Sequence, residues 1–151
     1  MSASLKSAIL DVCKEQIDAK INLLHSEFNV YKDAVANETK STAGDKHDTS
    51  RSMMQLEQEK MGVQLKELQR QKKILDSIEI SEPGSQLRLG SIVRTDHGNF
   101  FISVFARPIV ILNETFIPVS LQSPIAQLIS KSKPGFDFVF NGKIYKIESI
   151  H

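Results

Sequence analysis

Two aspartates, Asp45 and Asp48, have the residue type and the spacing to do chemistry in this 151-residue chain. They stand three residues apart, and residues with that spacing lie on one side of a helical turn. Mg²⁺ prefers hard oxygen ligands and commonly takes one or two carboxylates from a protein, while other groups complete its octahedron. The pair is therefore chemically suited to half of a magnesium site, which would bind metal poorly alone and well inside another active centre.

The same residues also have a structural interpretation. Acids at the start of a helix are stabilised by the unpaired amides and the helix dipole, by about 0.3 to 1 kcal/mol each. His47, between them, is either a third ligand, a local base or an exposed histidine. Lys46 and Arg51 are cations that can attract a phosphate group or can simply be solvated. Spacing alone leaves these alternatives open.

The aspartates belong to a polar stretch, residues 36–52, that lies between two segments with helical periodicity. The first segment, from about Ser4 to Val35, places apolar residues in steps of three and four: Leu10, Cys13, Ile17, Ile21, Leu24, Phe28, Tyr31 and Val35. The second, Met53 to Ile78, has a heptad stripe of Met54, Met61, Leu65, Leu68 and Leu75, with Gln58 and Lys72 at the remaining positions. Two such narrow stripes bury themselves against each other, so residues 1–80 are predicted to form an antiparallel coiled-coil hairpin with its tip at 36–52.

Two starts are open for the second helix. A start near Asp45 places both carboxylates on one side of the first turn. A capping box formed by Ser52 and Gln55 would instead leave both acids in the loop.

Residues 81–86, which contain Pro83 and Gly84, end the helical period and are predicted to be a linker. Residues 87–151 then follow a strand pattern, in three pairs: 90–95 with 99–106, 108–112 with 116–121 around a predicted turn at Asn113-Glu114, and 136–140 with 143–147. Asn141-Gly142 predicts a two-residue type I′ turn, and Pro118 predicts a sheet edge or a bulge. Ser123 and Pro124 open a short helix as its cap and first residue. The fold class is thus α+β, with an antiparallel sheet and one short helix in its second domain.

Composition excludes several classes of protein. The chain has 19 basic and 18 acidic residues, a net charge of +1, so overall charge does not attract it to nucleic acid or to a membrane. Its single cysteine, Cys13, cannot form an intrachain disulfide, and it is expected to be a small buried residue of the helical seam. Lys14 and Glu15 interrupt any apolar run at the N-terminus. We therefore expect a cytoplasmic protein without a membrane segment.

Two motifs are similar to those of a known family. The segment 119–129, VSLQSPIAQLI, is similar to the pattern I-S-V-x-S-P-I-A-x-x-L-I-G, and the segment 44–48, GDKHD, is similar to the tip sequence G-D-L-K-E. Together with the hairpin and the β domain, they make nearly the whole chain resemble the bacterial Gre transcript-cleavage factors.

This resemblance implies an FKBP-like β domain that docks at the secondary channel of RNA polymerase, through the S-P-I-A residues Ser123, Pro124, Ile125 and Ala126. It implies a hairpin that reaches the polymerase active centre, where Asp45 and Asp48 help to hold Mg²⁺ and a water cleaves the nascent RNA 3′ end of a backtracked complex. The protein would be an accessory factor, not an enzyme, and a monomer when free. Asp48 replaces the glutamate of the family, Arg51 falls where another acid is frequent, and Ser130 replaces a glycine.

Two other functions stay open. A regulator that docks in the same way could block or reshape the active centre without stimulating cleavage. An enzyme in its own right, such as a peptidyl-prolyl isomerase, would need a pocket lined by the phenylalanines of the β domain, whose spacing is equally typical of strand cores.

Overall fold

A computed structural model describes residues 2–41, 45–80 and 86–151, with side chains for 3–37, 49–80 and 86–151. The chain forms two compact units, one of residues 1–16 with 73–151 and the other of residues 17–72. Parts of the predicted hairpin, residues 1–16 and 73–80, thus belong to the same unit as the sheet. Most of the predicted linker, 81–85, lies outside the described residues.

Two long helices make up the N-terminal half: α1 spans Ser2–Ser41 and α2 spans Asp45–Asp76. The predicted loop at 36–52 is therefore largely helical, and residues 42–44 lie outside the described part. Alanine, glutamate and lysine, which favour helix, occur among residues 36–40, and neither proline nor glycine precedes Gly44. The predicted start near Asp45 is confirmed, whereas the capping-box start at Ser52 is wrong.

The two helices are antiparallel. Within residues 17–72, Lys72 Nζ donates to Asp18 Oδ1 at 2.8 Å, and further along the pair Tyr31 and Glu57 line one cavity. Residues of increasing number on α1 therefore lie beside residues of decreasing number on α2. The predicted stripes are buried or half-buried at Leu10, Cys13, Ile17, Ile21, Leu24, Phe28, Tyr31, Val35, Met54, Met61, Leu65, Leu68, Lys72 and Leu75, and Gln58 is exposed.

A sheet follows the helices. Its described strands are β1 Ile92–Thr95, β2 Gly98–Ser103, β3 Ile109–Ile111, β4 Glu114–Ser120, β5 Asp137–Phe140 and β6 Lys143–Ile150, in the order β3-β4-β2-β1-β6-β5, and helix α3 spans Pro124–Ser130. The α+β class is confirmed.

One strand pair departs from the predicted antiparallel sheet. Strands β2 and β4 run parallel, with Asn99 beside Phe116 and Ser103 beside Ser120. The cause is the connection: residues 104–108 cross over to β3, and the β3–β4 hairpin then brings β4 back beside β2. Strand β3 pairs with β4 no further than Phe116. Pro118, which lacks an amide donor, therefore lies where β4 has no β3 neighbour, as an edge position requires.

In two hairpin turns of the described chain, non-glycine residues adopt left-handed backbone. Asn141 and Gly142 have φ angles of 51° and 75°, which confirms the predicted type I′ turn. In the β3–β4 hairpin the turn residues are Leu112 and Asn113, with φ angles of 52° and 64°, one residue before the predicted position. A leucine in this conformation costs about 1 kcal/mol, so local sequence did not predict it.

Residues pack against both faces of the sheet. On one face, α3 contributes to a core of Val93, Phe100, Ile102, Ile125, Ala126, Ile129, Phe138, Ile147 and Ile150. Alternation along β2 points Phe101 and Ser103 to the other face, where Ser103 contacts Cys13 of α1. The start of α1 therefore packs on the face opposite α3.

Candidate functional site: the start of α2 and the capped helix α3

The start of α2 brings the two predicted metal ligands into one helical turn. Asp45 is the first residue of α2 and Asp48 the fourth, so their backbone positions lie on the same side of the helix. The side chains of Asp45, Lys46, His47 and Asp48 lie outside the described residues. The predicted carboxylate pair and the predicted role of His47 therefore stay predictions.

Arg51 lies in α2, three residues after Asp48, and its side chain is exposed. Residues three apart are neighbours on a helix surface. The guanidinium thus belongs to the same part of the helix as Asp48, where its positive charge opposes the accumulation of negative charge that a metal site needs.

The predicted cap of α3 is confirmed. The backbone N–H of Ala126 donates to Ser123 Oγ at 3.3 Å, and Ser123 Oγ donates to the carbonyl of Ser120 at 2.7 Å. Pro124 takes the first helical position, where no amide is needed. The hydroxyl therefore joins the end of β4 to the start of α3.

The S-P-I-A residues differ in exposure. Pro124 is exposed and Ser123 half-buried, whereas Ile125 is 6% exposed and Ala126 is fully buried in the core. The sheet thus holds α3 through two of these residues and leaves Pro124 at the surface. Their predicted role in docking stays a prediction. Of the four, the exposed Pro124 is accessible to a partner, whereas the buried Ile125 and Ala126 position the helix.

Cys13, the one nucleophile singled out in the sequence, is fully buried. Desolvation raises the pKa of its thiol to about 11, although the hydroxyl of Ser103 lowers it in part. A thiol with this pKa is almost entirely protonated at neutral pH. The expected structural role is confirmed, but the described contact is with strand β2.

Metal sites of another kind are not found in the described part of the chain. Among those residues no group of three or more His, Cys, Asp or Glu side chains is arranged to hold an ion. None of the described helices is both long enough and apolar enough to cross a bilayer.

A cavity of about 370 Å³ in the sheet unit was not predicted from sequence. Arg94 and Glu114 form an ion pair at its wall, and Asn99 Nδ2 donates to Glu114 at 3.3 Å. Leu112, 86% exposed, lies at its edge. Arg94 and Glu114 are 20 residues apart and lie on different strands. No short-range sequence pattern therefore predicts this ion pair.

A second unpredicted feature lies on the side of the helical pair. A groove of about 500 Å³ is lined by Lys20, Leu23, Leu24, Glu27, Val63, Gln64, Glu67 and Leu68. Leu23 and Val63 are 59% and 73% exposed. A signal was present in the sequence, because each has a lysine three residues before it and a glutamate four residues after it.

The chain matches no family model, no curated protein and no solved structure. The resemblance to the Gre factors therefore rests on the two motifs and on the order of the elements.

Proposed function

We propose that this protein is an RNA polymerase-binding elongation factor, which inserts its helical hairpin into the secondary channel and stimulates cleavage of backtracked RNA. The observation that carries the proposal is the start of α2 at Asp45, which places Asp45 and Asp48 in the first turn of that helix. Two acids at the end of a helical pair form a metal half-site that another protein can complete. The β domain would be FKBP-like and would provide the anchor.

The hairpin suits this task because its helices are long. At 1.5 Å per residue, α2 with its 32 residues extends about 48 Å. Antiparallel packing places the start of α2 and the end of α1 together, so the acids would be carried at the end of a narrow helical pair.

The capped helix α3 supports the docking part of the proposal. Pro124 is exposed at the start of α3, and Ser123 fixes that start by hydrogen bonds on both sides. Ile125 and Ala126 are buried, so we assign them the positioning of α3 and assign direct polymerase contact to Pro124.

In this account the chain supplies charge and position, and the polymerase supplies the rest of the site. Asp45 and Asp48 would share Mg²⁺ with the polymerase, and the N-terminal amides of α2 favour negative charge at these positions. In a two-metal site the bound ion stabilises the attacking and leaving oxygens of phosphoryl displacement. Lys46 and Arg51 would lie close to the RNA phosphates. The protein would act in the bacterial cytoplasm, together with the RNA polymerase that it binds.

One observation favours the alternative of a regulator that docks without stimulating cleavage. Arg51 is exposed and lies one helical turn from Asp48, and its charge would weaken cation binding there. Such a protein would occupy the channel and leave the transcript intact.

The test uses purified bacterial RNA polymerase stalled in a backtracked complex with end-labelled RNA. The proposal expects the protein to bind the polymerase and to accelerate Mg²⁺-dependent shortening of the transcript. Binding without shortening would favour the regulator, and failure to bind would reject both. A Pro124→Asp variant, altered at an exposed position, is expected to bind more weakly while unfolding at an unchanged denaturant concentration.

A further inference from the structure

The groove on the side of the helical pair has charges at both ends. Lys20 and Glu67 line one end of the groove, beside Leu68. Glu27 lies at the other end, in an adjoining cavity with Lys60. Each end therefore carries both signs of charge, and Glu57 also lines the cavity that holds Glu27 and Lys60. Along each helix the lysine precedes the glutamate by seven residues.

The apolar part of the groove is exposed. Leu24 and Leu68 of the seam form its floor, and Leu23 and Val63 form its walls. Exposed apolar side chains that are rimmed by polar and charged ones, as Leu23 and Val63 are here, are typical of a protein contact site. What distinguishes this one is its pattern of charges.

That pattern is self-complementary. When a second copy lies face to face and reversed in direction, α1 lies along α1 of the partner copy, with Leu23 near the two-fold axis. Lys20 of each copy then faces Glu27 of the other. On α2, Val63 lies near the axis, and Lys60 faces Glu67. Because an isologous interface needs one patch that complements itself, these residues satisfy its requirement.

We propose that the groove is a self-association surface, through which two copies form an antiparallel four-helix bundle. Neighbouring helices in this bundle all run in opposite directions, as in an up-and-down arrangement. The pairs between Lys20 and Glu27 carry most of the charge complementarity. Glu67 contributes less, because its carboxylate already accepts hydrogen bonds from Arg70 at 2.7 and 2.9 Å and from Gln71 at 3.1 Å.

The groove covers only about two turns of each helix, residues 20–27 of α1 and 63–68 of α2. The dimer is therefore transient, with an interface below the 1,200 Å² or so of stable complexes. The resemblance to the Gre factors implies a monomer. Dimer formation covers one side of the hairpin, so it competes with any partner that surrounds the hairpin. The inference concerns the free protein and does not depend on the proposed function.

Sedimentation equilibrium of the free full-length protein, from micromolar concentrations to about 1 mM, tests the proposal. The mass is expected to rise with concentration from 16.9 kDa toward twice that value. Leu23→Asp should weaken association at least about tenfold, since it places two carboxylates at the axis. The substitution is at an exposed position, and unchanged helical circular dichroism would verify the fold. A wild-type protein that stays monomeric throughout would overturn the proposal.

Charge reversal tests the arrangement of the two copies. Lys20→Glu should weaken the dimer several-fold, because it sets a new carboxylate against that of Glu27 in the partner copy, and the double variant Lys20→Glu with Glu27→Lys should restore it to within about twofold. Lys66→Glu is the matched control, because Lys66 is exposed on α2 and does not line the groove. Equal weakening by Lys66→Glu, or a double variant weaker than the single one, would contradict the antiparallel pairing of α1 with α1.

Discussion

The sulfur of Cys13 lies 4.0 Å from the hydroxyl oxygen of Ser103, and both residues are buried. This contact joins α1 to strand β2 across 90 residues of sequence. One helical turn further along, Gln16 accepts from the backbone N–H of Arg107 at 2.9 Å and donates to the carbonyl of the same residue at 3.3 Å. The N-terminal part of α1 therefore contacts strand β2 through Cys13 and the connection between β2 and β3 through Gln16.

Burial of Cys13 makes the stability of the fold depend on pH in alkali. Its pKa is about 11 in the folded protein, against 9.0 for the unfolded reference. The unfolded chain loses this proton first, so the contribution of the thiol to stability is complete below pH 9 and is lost as the pH rises to 11. The loss amounts to at most about 3 kcal/mol. Urea titrations between about pH 8 and 11 measure it.

Cys13→Ala provides the control for that titration. The variant should be less stable at about pH 8, because a buried side chain is shortened, yet its stability should fall less between pH 9 and 11. In the native wild type, an aromatic disulfide reagent should react with the thiol far more slowly than in the unfolded chain, because the thiol is both buried and protonated. An alkaline loss that is the same in both proteins would show that another group causes it.

Two glycines should respond to alanine with opposite signs. Gly90 has a φ of +90°, and a Cβ there would lie 2.8 Å from Cγ2 of Ile78, so Gly90→Ala should cost about 1 to 3 kcal/mol of unfolding free energy. Gly62 lies inside α2 with open space around it. Gly62→Ala should stabilise the protein by about 0.5 to 1 kcal/mol. Chemical denaturation measures both, and a neutral Gly90→Ala would mean that the chain relaxes around the methyl group.

The hydroxyl of Ser123 is predicted to stabilise the start of α3. Removing it in Ser123→Ala leaves an amide of the first turn without its acceptor, at a cost of about 1 kcal/mol. Ser123→Asp, which keeps an acceptor, should lose much less. Ser52→Ala is the matched control: Ser52 is exposed inside α2, where alanine is the better helix former. Thermal unfolding that ranks Ser52→Ala below Ser123→Ala would contradict this assignment.

The departures from the Gre tip sequence suggest variants with more activity. Asp48→Glu lengthens the side chain by one methylene, and Arg51→Ala removes a positive charge one turn away. If Asp45 and Asp48 hold Mg²⁺ jointly with the polymerase, each change should lower the Mg²⁺ concentration needed for half-maximal transcript shortening. Rates measured across a Mg²⁺ series give this value, and a higher requirement in both variants would contradict the assigned geometry.

Local patterns were sufficient for much of the fold. Apolar steps of three and four predicted both helices, Asn141-Gly142 predicted its turn, and Ser123-Pro124 predicted the start of α3, because each feature depends on neighbours along the chain. The parallel pairing of β2 with β4 depends on a crossover that brings together residues 17 positions apart, such as Asn99 and Phe116. No short-range preference encodes it.

The candidate site likewise has features that local sequence predicts and features that depend on distant parts of the chain. The spacing of Asp45 and Asp48 predicted a shared turn, because helical geometry alone fixes it. The burial of Ile125 and Ala126 needed the sheet beneath α3, and the extent of α1 to Ser41 exceeded the apolar pattern because polar helix formers continue the helix without a buried face. The groove residues Leu23 and Val63 interrupt an otherwise polar surface, a signal that becomes clear only when both helices are aligned.

The central claim is that Asp45 and Asp48 act inside a polymerase complex, and one measurement tests it most directly. Backtracked complexes are incubated with the wild type or with the Asp45→Ala, Asp48→Ala double variant, and both transcript length and polymerase binding are recorded. The account predicts that the wild type shortens the transcript and that the double variant binds as tightly but leaves the RNA at its original length. Full cleavage by the double variant would contradict the claim.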